Sequence, residues 1–200
     1  NMSSDGCSAS CAIEEPLSLA ARKCLAQSAI WSSKLATGQS KENQGCSKDF
    51  SRMSTPSPSF LDDCLLLDRK LKIAKLETNL ALIQASKCTD IPTFGYVEAA
   101  ALVPAGAAEG ALVMEAVFGS DAASVIVNRK NPATRLTSVC QLTAQRFADK
   151  IFQTNVKEFT TCVKKETANR QDPMASQTRI SDCLTTVGED VRGRVASARD

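Results

Sequence analysis

The chain has 200 residues, with 24 basic side chains set against 22 acidic ones for a net charge of +2, and no histidine. So even a balance makes no electrostatic case for nucleic acid or an acidic membrane face. The missing histidine removes Ser-His-Asp and Cys-His catalysis, the common zinc sites and haem attachment through Cys-x-x-Cys-His.

Residues 1–15 read as a polar, serine-rich N-terminal arm holding Cys7 and Cys11 and ending in Glu14 and Glu15. A chain that begins at Asn1 rather than at methionine is expected of a mature protein whose leader has been removed. Pro16 sits where proline suits the first position of a helix, with acids beside the positive helix end. Leu17, Ala21, Cys24, Ser28, Trp31 and Leu35 recur at helical steps and predict one buried stripe. Gly38 and Gly45 weaken the second half, and the helix is expected to end near Cys46. Ser54-Thr55-Pro56-Ser57-Pro58 is a turn by composition. The next helix should open near Ser57 to Ser59, with Asp62 and Asp63 in its first turn. It is expected to run unbroken through Leu66, Ile73, Leu76, Leu80 and Ile83 to Cys88.

Residues 89–131 form an apolar connector whose Ala, Gly and Val content favours short helices, with a short strand at Ser124–Asn128 as the alternative. Its longest apolar stretch, Tyr96 to Gly119, is interrupted by Glu98, Pro104, Glu109 and Glu115, so no membrane span is expected. Gly106 and Gly110 have the spacing that lets two helices approach closely. Asn131 and Pro132 should open a long amphipathic helix marked by Cys140, Ala144, Phe147, Ile151, Phe159 and Cys162, stopped by Asp172-Pro173. In the last segment, Thr178 to Cys183 resembles Ser59 to Cys64. Val187, Val191 and Val195 supply its stripe, weakened by Gly188 and Gly193.

One spacing occurs twice. Pro16, Cys24 and Cys46 recur as Pro132, Cys140 and Cys162, shifted by 116 positions, and the same shift carries Trp31 onto Phe147. The chain reads as an internal duplication, with Trp31 and Phe147 as equivalent core anchors. The expected fold is all-α: two tandem antiparallel helical hairpins, residues 16–88 and 132–200, stapled by disulfides and joined by a helical or irregular connector.

The staples follow from helix rise. Cys24 and Cys46 would lie about 33 Å apart on one helix and Cys64 and Cys88 about 36 Å apart on the next, at about 1.5 Å per residue. Antiparallel packing then sets Cys24 beside Cys88 and Cys46 beside Cys64, whereas neither helix could bridge its own pair. By the same geometry Cys162 should meet Cys183. Cys7, Cys11 and Cys140 are left over, an odd number. Either Cys7 bonds Cys11 with Cys140 buried and reduced, or the arm ties onto Cys140 of its own or a neighbouring subunit. Nine cysteines spread along the chain fit an oxidising compartment.

Little else suggests chemistry. The only close cysteine pair, Cys7 and Cys11, lacks metal-site spacing. Glu14/Glu15 and Asp62/Asp63 stand where acids stabilise helix starts, and no phosphate-cradling glycine loop is present. No catalytic, cofactor or metal residue is assigned.

The units resemble a loosely defined set of uncharacterised, cysteine-rich, all-helical proteins secreted by environmental bacteria. The match lies in Cys24 to Cys46, Cys64 to Cys88 with its Lys87-Cys88 ending, and Cys140 to Cys162. That resemblance implies an all-helical fold and an extracellular or periplasmic compartment. The expected role is a non-enzymatic structural protein, a filament or surface-layer subunit that self-associates, without nucleic acid, membrane span or cofactor. The alternative is a monomeric secreted helical binding or inhibitory module of unspecified ligand.

Overall fold

A computed structural model describes residues 17–55, 57–66, 68, 71–168, 177–190 and 193–197. Helix α1 runs from Leu19 to Phe50. Ser18, not Pro16, opens it, its hydroxyl accepting a hydrogen bond from the Ala21 N–H at 3.0 Å. Pro16, Glu14 and Glu15 lie outside the described residues. The helix continues beyond Cys46 because tertiary packing outweighs glycine's propensity cost. At Gly38 a Cβ would stand 2.9 Å from Leu76 Cδ1, so the glycine gives the neighbouring helix room.

The helix expected from Ser57 to Cys88 is two helices, α2 (Pro58–Leu66) and α3 (Lys72–Lys87). Asp68 makes the break. Its carboxylate accepts from the N–H groups of Lys72 and Ala74, both at 2.8 Å, and so starts a new helix. Leu71, just before it, takes a left-handed conformation at φ 52°. Asp62 and Asp63 therefore fall in the second turn of α2, beyond the reach of its N-terminus.

Within the expected connector, Ala99–Phe118 forms α4, longer than the short helices anticipated. Gln84 of α3 seats its start, accepting from the Ala99 N–H at 2.6 Å and donating to the Val97 carbonyl at 2.8 Å. Ser124 and Val125 belong to a one-turn helix, α5 (Ala122–Val125), so there is no strand here. Next come α6 (Arg135–Ala168), α7 (Gln177–Gly188) and the one-turn α8 (Arg194–Ser197). Asn131 does not cap α6 directly. Its side chain closes a turn onto the Ala133 N–H at 3.0 Å, and the helix begins at Arg135. Asp172-Pro173 lies outside the described residues.

All regular structure among the described residues is helical. The two hairpins, successive in sequence, lie side by side: α1 packs along α6, and α4 packs on both. Two apolar cores form. One joins Cys46, Phe50, Leu61, Cys64, Met114, Phe118 and Ile126. The other joins Leu17, Ala21 and Leu25 to Val163 and Ile180.

Candidate functional site

Three disulfides link the helices. Cys24 joins Cys88 with Cα atoms 4.6 Å apart, Cys46 joins Cys64 at 5.7 Å, and Cys162 joins Cys183 at 5.9 Å. Cys24, Cys46, Cys64 and Cys162 are buried, closed to external reagents. Bonds of this kind fit an oxidising environment, extracellular or periplasmic. Among the described residues no cluster of three or more Cys, Asp or Glu is placed to hold a metal ion.

Cys140 departs from expectation. It is exposed and has no bonded partner among the described residues, so it is not a buried thiol; Cys7 and Cys11 lie outside them. The reason is the orientation of α6. Its inward face carries Ser138, Leu142, Gln145 and Asp149, while of the expected stripe Cys140, Ala144, Phe147 and Phe159 are exposed, Ile151 is half-buried and only Cys162 is buried. Leu136 is 84% exposed and Phe147 42%, so Phe147 is not a core anchor. Its counterpart Trp31 is half-buried and carries the Lys34 ammonium 3.7 Å from its ring centroid.

The polar inward face of α6 meets a polar half of α1. Ser40 donates to the Asp149 carboxylate, and Asn43 donates to the Gly110 carbonyl at 3.0 Å. Ser47 lies 3.4 Å from the Met114 sulfur and Gln145 2.9 Å from it. Burial pushes the Asp149 carboxyl above its ordinary range, against hydrogen bonds from Ser40 and Gln44 that lower it. Small groups draw the helices together: a Cβ at Gly106 would stand 3.0 Å from Leu35 Cδ2, and one at Gly110 2.7 Å from Gln39 Cγ.

Two apolar features remain open to solvent. One is a cleft of roughly 680 Å³ among α1, α4, α6 and α7, walled by Leu102, Phe152, Val156, Phe159 and Leu184, with Glu109 and Asn155 as polar points. The other is the unpartnered outer surface of α6 and α4. Ala99–Val125 is long and apolar enough to cross a membrane, with an 18-residue window of mean hydropathy 1.5, of which 22% is buried. It presents Gly106 and Gly110 to α1 and leaves Leu112 exposed. Sequence reasoning missed the α6 surface because an apolar stripe looks the same whether it faces a core or a partner.

The molecule is a disulfide-braced all-α bundle. No protein-family model, curated protein or solved structure matches it.

Proposed function

We propose that the chain is a non-enzymatic extracellular structural protein that self-associates, as the subunit of a filament or surface layer, with the stapled hairpins 16–88 and 132–200 as its rigid rods. The reading keeps the resemblance to secreted, cysteine-rich helical proteins, which rests on spacing. The observation that carries it is the outward face of α6, where Leu136, Val139 and Phe147 surround an exposed thiol, Cys140. Exposed apolar surface around an unbonded cysteine, in a protein whose other described cysteines are bonded, calls for a second copy.

For Cys11, chain length supports a partner from outside. Ser40 meets Asp149, so Cys140 lies about 14 Å beyond that contact and Ser18 about 33 Å before it, at about 1.5 Å per helical residue. Cys11 is seven residues from Ser18, a reach of about 25 Å when fully extended. Cys11 falls short of Cys140 of its own chain, whereas Cys7, eleven residues from Ser18, has a reach of about 40 Å.

Non-reducing electrophoresis and negative-stain microscopy of untreated protein test the reading. Disulfide-linked ladders or ordered polymers are expected, dispersed by Leu136→Lys with Phe147→Lys. A strict monomer at high concentration would overturn it.

The cleft of roughly 680 Å³ favours a second reading, a monomeric binding module for a small apolar ligand. Saturable binding of a fluorescent fatty acid, abolished by Val156→Glu, would support it.

A further inference from the structure

The near-zero net charge hides a segregation along α6. Its three acids all turn inward: Asp149 is 3% exposed, Glu158 6% and Glu166 8%. Glu158 pairs with Arg194 at 2.6 Å and Glu166 with Arg179 at 3.0 Å. Its six bases, from Arg135 to Lys165, are all exposed. Three of them, Arg135, Arg146 and Lys157, are spaced eleven residues apart. Eleven residues make about three helical turns, so these cations share one face over about 33 Å.

That face borders α1. A cleft of roughly 390 Å³ between the helices brings Lys41 of α1 together with Arg146, Lys150 and Lys157. A second, of roughly 610 Å³, gathers Arg52, Arg129, Lys130 and Arg135. Lys41 to Arg52 is eleven residues on one strand of the seam, and Arg146 to Arg135 eleven on the other. The two clefts therefore open on the same side, about 16 Å apart. Among the described residues no acid pairs with any of these cations. The loop bearing Arg129 is pinned to the end of α1, its N–H donating to the Ser51 carbonyl at 2.7 Å and Asn128 donating to the Met53 carbonyl at 2.6 Å. The cations are held together before any ligand arrives.

We infer that the α1–α6 seam is a binding groove for an acidic polysaccharide. A straight row of unneutralised cations suits a linear polyanion, and two details select a glycan over a nucleic acid. Neither cleft is lined by an aromatic side chain on which bases would stack. Thr37, Gln44, Gln153 and Thr154 alternate with the cations and offer hydrogen bonds to sugar hydroxyls.

Titration calorimetry with alginate oligomers, neutral dextran and a single-stranded oligonucleotide of matched charge tests the groove. Alginate should bind, weakening as salt rises, while dextran does not. Arg135→Gln, Arg146→Gln and Lys157→Gln together should cost about tenfold or more in affinity and lower the salt slope by about three, one per cation removed. Lys23→Gln, Lys75→Gln and Lys87→Gln, equal in charge but away from the seam, should change affinity less than about twofold. Circular dichroism should show both triple variants folded, since all six positions are exposed. Equal losses in the two triples, or tighter binding of the oligonucleotide, would each overturn the proposal.

Discussion

Ser40 of α1 donates a hydrogen bond to Asp149 of α6, and both side chains are shut away from solvent, at 1% and 3% exposure. This contact ties together the two longest helices of the protein at a point where neither offers an apolar residue. Burial holds the carboxyl above its ordinary value. The folded state therefore binds the proton more readily than the unfolded chain, and stability falls as pH rises from about 3.8 through the raised folded value. Asp149→Asn should remove that dependence. Urea titrations should show the variant more stable than the parent at neutral pH, with the gap closing toward pH 4. Ser40→Ala should destabilise by about 1–3 kcal/mol, having left the carboxylate with one donor fewer.

Two glycines should respond in opposite senses. At Gly110 a Cβ would meet Gln39 Cγ at 2.7 Å and the Ser40 nitrogen at 3.3 Å, whereas at Gly45 it would meet nothing. Gly110→Ala should cost about 1–3 kcal/mol by forcing α4 from α1. Gly45→Ala should add up to about 1 kcal/mol of helix propensity. Thermal melts of the two variants give the comparison directly.

The break between α2 and α3 offers a third pair. Leu71 is 71% exposed and held at φ 52°, so Leu71→Gly loses little packing and should gain about 1 kcal/mol. Asp68→Ala should cost about 1 kcal/mol, because the Lys72 and Ala74 N–H groups lose their acceptor. Chemical denaturation read by circular dichroism resolves shifts of that size.

Among the staples, Cys24–Cys88 closes 64 residues and Cys46–Cys64 closes 18. By chain entropy the first should contribute about 4 kcal/mol and the second about 3. Paired serine substitutions, followed by melting temperature, should rank them in that order, and a reductant should erase the difference.

How far the chain could be read in advance differs from element to element. Helix rise alone put Cys24 opposite Cys88 and Cys46 opposite Cys64, since spans of about 33 and 36 Å on antiparallel rods leave few other closures. The spacing of Gly106 and Gly110 likewise marked the close contact that α4 makes with α1. The Asp68 break was written in the sequence too, as a helix-opening residue, but an unbroken run of leucines masked it. Residues 99–118 looked like connector because their helix carries too little polar contrast to reveal a face.

What the sequence by itself determined was the helical class, the stapled ends and the oxidising setting, because helix period, loop closure and thiol count are local or one-dimensional properties. Only the tertiary structure decided which side of α6 turns inward. Ser40 of α1 donates to Asp149, and Gln145 donates to the Met114 sulfur of α4 that Ser47 of α1 also meets, so these polar side chains face inward and leave Leu136, Cys140 and Phe147 outside. That choice depends on partners as far as 109 residues away, and it is also what gathers the exposed cations along one seam.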